Sequence, residues 1–371
     1  MAEQVLALPP LPDQKVKGWE FTDLSDLDLD AYEQASTDAS IEAAEGATVL
    51  PLADALAARP ELVEGRLGAL APSEDPFVAR NDASWRDGVL VHVPSGVRVA
   101  EPIKVEVPLD EDGTAIAWRT LIVLEEGAEA EVWEHCSSPS GDQTDAVLNS
   151  VVELYVGQAA TLRYVSTQDI SEASWIFATQ RAQVERDGRL DWAALGFGSA
   201  RGKVRMETKL AGPGSEARVT GGYAGGPGQH LDYDTTQEHA APNTISDLAF
   251  RGVLAAGATA VWRGMIRVDP GAQGTDAFQE SRNLLLSPDA HADAIPGLEI
   301  EADDVRCTHA AAIAQIDRDQ LFYLTSRGLD PAEAKSLIIE GFLESLVERL
   351  AEGQVRDEVS AALETRLAEI L

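Results

Sequence analysis

The sequence predicts a mainly β protein with helical ends, its core built as a β-solenoid. Three observations carry this. From residue 85 onward, short runs rich in β-branched residues alternate with Gly, Pro and Asp. Within that region a glycine is followed four times by alanine at +3 and a large apolar residue at +5. On both flanks the apolar residues return at helical spacing instead.

Residues 1–84 form the first region. Leu52, Leu56, Leu62, Val63, Leu67 and Leu70 keep roughly helical spacing, and Pro60 breaks the run in two. The stretch is expected to be a helical region. The opening MAEQVLALPPLPDQKVKGWE lacks a basic start followed by an apolar core, which argues against a secretory signal.

Residues 85–315 form the second. VLVHV from Val89, IKVEV from Ile103, LIVL from Leu121, VVELYV from Val151 and ARVT from Ala217 read as strands. The repeat occurs as GAEAEV from Gly127, GQAATL from Gly157, GSEARV from Gly214 and GATAVW from Gly257. These glycines are 30, 57 and 43 positions apart. Divided by two, four and three, the gaps give about 15, 14 and 14 residues, a common rung length for a solenoid. Glycine suits a tight corner, and side chains at +3 and +5 of an extended chain point the same way into a narrow core. Four matches to a loose pattern leave ordinary sandwich hairpins open as the other arrangement.

Residues 316–371 form the third. Asp317 with Gln320 can cap a helix start, and Gly328 can close that helix. Asp330, Pro331 and Glu333 give a second start. Leu337, Ile338, Phe342, Leu346 and Leu350 then form an apolar stripe, with Ile339, Leu343 and Val347 beside it. Most of that stripe is expected to close the end of the solenoid. A last helix carries Val359, Leu363, Leu367 and Ile370.

Composition narrows the function. At 44% hydrophobic and 25% charged, the 371 residues are those of a globular chain rather than a disordered one. No run of eighteen apolar residues exists, so no membrane span is expected. The net charge of −34 repels nucleic acid and anionic membranes, so neither is an expected partner. That charge reads as a solubility device or as adaptation to a salty cytoplasm. Cys136 and Cys307 are the two cysteines, too few for a disulfide framework, and a reducing cytoplasm fits.

Familiar catalytic signatures are missing. GFGSARGKV, residues 196–204, is the nearest approach to a phosphate loop, but Phe197 and Val204 stand where glycine and a hydroxyl are needed. G-x-G-x-x-G, G-x-S-x-G, C-x-x-C and H-E-x-x-H are absent. His230, Asp232, Asp234 and His239 match no metal spacing and read as turn-capping and packing residues. Cys307 and His309 are better candidates. On a strand they share a face, and thiolate with imidazole suits iron, zinc and iron–sulfur species. Two donors do not complete a site, so a second chain or a substrate must supply the rest. A buried cysteine beside a hydrogen-bonded histidine is the competing structural reading.

Several long segments resemble the SufB/SufD family of iron–sulfur cluster assembly. They are LDYDTTQEHAAPNTISDLAFRGVL (231–254), RGMIRVDPGAQGTDAFQESRNLLLS (263–287), PGLEIEADDVRCTHAAA (296–312) and LFYLTSRGLDPAEAKSLIIEGF (321–342). WEFTDLSDL (19–27) is similar to the W-x-Y-T-D-L entry of the SufD branch, with Phe21 in place of tyrosine. The C-[ST]-H pattern of that branch is matched by Cys307, Thr308 and His309. Where the scaffold branch carries a cysteine, this chain carries Ser281.

The resemblance implies a right-handed parallel β-helix between helical ends and a scaffold role without catalysis of its own. It implies pairing with a SufB-like paralogue through β-helix edges, with His309, and Cys307 beside it, offered to iron or a nascent iron–sulfur cluster shared across that seam. It also implies a SufC-like ATPase docked on the C-terminal helices, for which Gly341, Phe342, Glu344 and Ser345 form the available fringe. Two rival readings are a homodimeric scaffold working with the ATPase alone, and a β-solenoid carbohydrate-active enzyme built on clustered carboxylates.

Overall fold

A computed structural model describes residues 8–139 and 143–370. Strands alternate between two facing parallel sheets, so that two strands make one turn. In the first sheet Arg201 partners His230 and His230 partners Thr259, 29 positions apart each time. The second sheet repeats at similar intervals, as from Glu216 to Ile245. The result is a β-solenoid of about eight turns with helices at both termini.

The interval of 14 to 15 residues is therefore half a turn. Gly127, Gly157 and Gly214 precede strands of the second sheet, and Gly257 precedes a strand of the first. Gly127, Gly214 and Gly257 sit at φ of +66°, +75° and +71°, where a side chain is strained. At Gly157 the reason differs: a Cβ there would lie 2.6 Å from the Leu124 carbonyl oxygen. The +3 and +5 residues, Ala130 and Val132, Ala160 and Leu162, Ala217 and Val219, Ala260 and Trp262, are all buried in the lumen. Tyr164, Trp192, Tyr223, Tyr233, Phe250 and Trp262 fill it.

One lumen side chain is a carboxyl. Glu134 is buried and accepts hydrogen bonds from the Thr120 hydroxyl, the Trp118 indole at 3.3 Å and the Tyr164 hydroxyl at 3.3 Å. Burial away from water raises its pKa, against those donors. A carboxyl with a raised folded pKa favours the native state fully below its unfolded pKa. That advantage is lost as pH rises through the folded pKa. Glu134→Gln is therefore expected to become relatively more stable than the parent above about pH 4.3, by up to about 1.4 kcal/mol per pH unit across that window. Urea titrations of both proteins at a series of pH values check this.

The N-terminal region is mixed rather than wholly helical. A 3-10 turn at Leu29–Ala31 precedes short strands Glu33–Ala35, Ser40–Glu42 and Thr48–Pro51. Helices α1 (Leu52–Ala58), α2 (Pro60–Val63) and α3 (Pro76–Ser84) follow, the first two on the apolar spacing around Pro60. The extended pieces have a tertiary cause. Ser40–Glu42 and Thr48–Pro51 pair antiparallel with Ile103–Pro108 and Asp87–Val93, the first strands of the two sheets. They cover edges that would otherwise expose unpaired backbone groups. Residues 1–7 of this region lie outside the described residues.

Residues 19–27 form a strap over the outer face of the first sheet. Trp19 stacks on Phe77 at 5.3 Å. Glu20 pairs with Arg263 at 3.0 Å and Asp26 with Arg201 at 2.9 Å. The Thr22 hydroxyl donates to Asp232 at 2.5 Å.

The C-terminal helices are α4 (Arg318–Ser326), α5 (Pro331–Val347) and α6 (Gln354–Ile370). Asp317 caps α4 through the Asp319 amide, and Asp330 with Glu333 forms a reciprocal capping box on α5. The helices do not close the end of the solenoid, as the stripe suggested. Ile339, Leu343 and Leu346 pack on Val253 and Leu284, while Leu350, Val355 and Val359 pack on Trp133, Val165, Leu195 and Phe197. All the strand residues in this contact point outward from the second sheet. They form an apolar patch on its outer face, and burying that patch favours a lateral position over an end cap. Arg349 fastens the α5 end to Asp247 at 3.0 Å, and Arg366 fastens α6 to Glu172 at 2.6 Å. Among the described residues no helix is long and apolar enough to cross a membrane.

Candidate functional site

The last turn consists of His291–Ile300 in the first sheet and Arg306–Gln315 in the second. Each is the outermost strand of its sheet. Inward residues of a buried turn are covered by the next turn, but among the described residues none follows here. Leu298, Ile300 and Ile313, which face the lumen side, stand 38%, 41% and 46% exposed. A row of free backbone groups and apolar side chains thus surrounds the end of the lumen.

Cys307 and His309 lie on Arg306–Gln315, in register with Ala277 and Gln279. Ala277 and Gln279 are buried lumen residues, so Cys307 and His309 do share the inward face. Their surroundings differ. Cys307 is half-buried against Ile266, Val268, Ala272 and Ala277. Burial, with the nearby Asp276 carboxylate, pushes its thiol pKa up, which disfavours the thiolate. His309 is exposed at the open end. The pair therefore offers one accessible imidazole and one packed thiol.

Ser281 lies in register with Ala311, one layer inside the last turn, and is fully buried. It accepts from Asn283 at 3.4 Å, and Asn283 in turn accepts from Tyr223 at 2.5 Å. The hydroxyl belongs to a packed polar chain, where a thiol would be a different chemistry.

His230, Asp232, Asp234 and His239 do not gather. His230, Asp232 and Asp234 point outward, Asp232 beneath Thr22 of the strap, and His239 points into the lumen. Asp232 pairs with Lys203 at 2.8 Å, both side chains 1% exposed. Asp234 lies 3.5 Å from Arg263. His239 is held between Thr244 at 2.7 Å and Ser246 at 2.9 Å, and burial lowers its pKa to about 4. Lys203, the lysine of the failed phosphate-loop match, is committed to that buried ion pair. Cys136 is buried in the lumen, with its thiol pKa well raised by burial. Among the described residues no cluster of three or more His, Cys, Asp or Glu side chains is placed to hold a metal ion. Any iron at His309 must complete its coordination from elsewhere.

On α5, Gly341, Glu344 and Ser345 are exposed and Phe342 is half-buried. A groove of about 660 Å³ runs between α5 and α6, lined by Glu340, Glu344, Arg356, Ser360 and Glu364 among others. Leu337 of the stripe stands 50% exposed on α5, and Phe322 and Tyr323 on α4, which the stripe did not include, stand 73% and 56% exposed.

The profile described as SUF system FeS cluster assembly, SufBD core domain, matches residues 107–342, and that of the SufBD protein N-terminal region matches residues 29–105. The chain is 31% identical over 313 residues to an iron–sulfur cluster assembly SufBD family protein of Mycobacterium leprae, covering 82% of this chain and 78% of that protein. It is 28% identical to the iron–sulfur cluster assembly protein SufB of Bacillus subtilis, over 76% of this chain and 60% of that one. A SufBD family protein of Staphylococcus haemolyticus is 29% identical over 80% of this chain and 64% of its own length. The match thus spans less than two thirds of the latter two relatives.

Proposed function

Because the chain belongs to the SufBD family of iron–sulfur cluster assembly proteins, we propose that it is the SufD-like, non-catalytic scaffold subunit of a cytoplasmic SufBCD-type complex. In this reading a SufB-like paralogue pairs with its open solenoid end, and a SufC-like ATPase docks on α5 and α6. Region 1–84 braces the solenoid, region 85–315 presents His309, and region 316–371 receives the ATPase. Ser281 and the Cys307-Thr308-His309 pattern favour the SufD-like assignment over the SufB-like one.

The single observation that carries the reading is the unequal treatment of the two ends. At the first turn, antiparallel strands cover both sheet edges. At the last turn no described residue pairs with either edge, and the edges are rimmed by Leu298, Ile300 and Ile313. A bare apolar edge is an aggregation hazard unless a partner covers it. The two bare strands are not equal. The Arg306 amide donates inward to Thr275, so residues 307, 309, 311 and 313 direct their amides outward. The His291 amide likewise donates inward, which puts the nitrogen of Pro296 on the outward side of its strand. Proline has no donor there. Arg306–Gln315 therefore offers the longer unbroken row for strand addition.

Cargo chemistry follows from the same end. A neutral imidazole is a borderline donor suited to ferrous iron. With one open imidazole on the lumen side here, the paralogue supplies the remaining ligands, and covering the seam shields the growing cluster from water. Movement of α5 and α6 by the ATPase would reach the solenoid through Arg349 and Arg366.

Ala311→Pro tests the seam. It deletes one outward amide and leaves the inward ladder of its own sheet intact. The chain is expected to fold with unchanged circular dichroism, while affinity for the co-expressed paralogue falls by about ten- to a hundredfold. Native mass measurement of the co-purified complex reads this. A parent complex that holds the ATPase and two copies of this chain, with no paralogue, would replace the reading with the homodimeric scaffold.

A further inference from the structure

Gln279 is the lumen residue directly beneath His309. The two are Cα partners in adjacent parallel strands and face the same way. Gln279 is fully buried. Its Nε2 donates to the carbonyl oxygens of Gly264 at 3.3 Å and Gly297 at 3.1 Å. Two acceptors on that side fix the amide orientation, because only the NH₂ group can serve them. Oε1 lies beside Gly264, buried and without a hydrogen-bond partner. A Cβ on Gly264 would come within 2.6 Å of it, so the glycine makes room for this amide.

An unsatisfied buried acceptor costs about 1–3 kcal/mol, and native cores keep few of them. Gln279 has two neighbours in its column of the second sheet. Below is Leu248, which has no side-chain donor. Above is His309, whose side chain has no hydrogen-bond partner among the described residues. Imidazoles that bind metals usually donate the second ring N–H to an oxygen behind them, which sets the tautomer and aims the free nitrogen.

We propose that Gln279 is a positioning residue for His309: its Oε1 accepts one ring N–H, holding the imidazole in a single tautomer with the other nitrogen aimed out of the open end at iron. The iron part of this rests on the role given above to His309; the hydrogen bond itself does not.

The test uses the full chain labelled with ¹⁵N-histidine, observed by long-range ¹H–¹⁵N correlation at a pH where the ring is neutral. In the parent, the two His309 tautomers are expected to differ in population by about tenfold or more, as one net hydrogen bond implies. Gln279→Leu should shift that ratio by about tenfold, toward a freely hydrated imidazole. Gln279→Glu, which keeps an acceptor, should preserve the bias. Unchanged His239 signals, from the next inward layer of polar residues, establish that each variant is folded. Equal His309 ratios in the parent and in folded Gln279→Leu overturn the proposal. Iron and sulfide in the His309→Ala complex are measured separately. Full content there removes the iron-donor role, while a Gln279-dependent tautomer would still support the contact.

Discussion

Replacing His309 with alanine is expected to leave the proposed three-subunit complex intact and to lower its iron and sulfide to about a tenth of the parent's or less. The side chain is exposed at the end of the lumen, so its removal costs little in folding. Among the described residues of the last turn it is the accessible soft or borderline donor that faces the lumen, since His291 points outward, Cys307 is packed against Ile266 and Val268 and its thiol pKa is raised. Losing even a supporting group around a metal ligand typically costs ten- to a hundredfold in affinity, and losing the ligand itself costs at least that. Cys307→Ala is the matched control. It should change stability slightly and cluster content little. Chemical iron and sulfide analysis on anaerobically reconstituted complexes reads both variants. Parent-level content in His309→Ala would take the imidazole out of the mechanism.

The second large effect concerns the fold. Lys203→Met is expected to cost about 3–5 kcal/mol in unfolding free energy. Lys203 and Asp232 are each 1% exposed and 2.8 Å apart. Without the ammonium, Asp232 keeps only the Thr22 hydroxyl and stands as a buried charge without its nearest counter-ion. The double variant Lys203→Met, Asp232→Leu should recover most of the loss, because a pair of apolar groups can replace a buried ion pair at little cost. Urea denaturation of the two single variants and the double measures the coupling. Cleavage after Lys15 and Lys17 should accelerate in Lys203→Met, since Trp19 and Thr22 anchor the strap to this network. A single variant as stable as the parent would mean that the pair contributes nothing net.

How much of this was legible before the coordinates follows from periodicity. Glycine with inward residues at +3 and +5 marks a corner and an inward face, and both are local properties. The interval was half a turn, because each turn has two sheets and the pattern occurs at corners of either. The N-terminal strands escaped notice because they are extended only through pairing with the first turn. The stripe on α5 was visible, but its partner was not. Trp133, Val165 and Leu195 are outward apolar residues among polar ones such as Glu131, Arg163 and Asp191, and such a mixed face does not say what covers it. Gln279 carried no signal at all. A glutamine in an alternating strand becomes notable only when its Oε1 is found without a partner under His309.

Chain chemistry alone favoured the solenoid over sandwich hairpins, located the C-terminal helices and put Cys307 and His309 on one face, because side chains of an extended chain alternate with a period of two whatever surrounds them. Tertiary structure alone settled that the imidazole is open while the thiol is packed, and that the helices lie beside the solenoid rather than across its end. Exposure depends on whether another turn follows, and helix placement depends on which distant apolar face remains to be buried. Neither quantity is a property of any local stretch of residues.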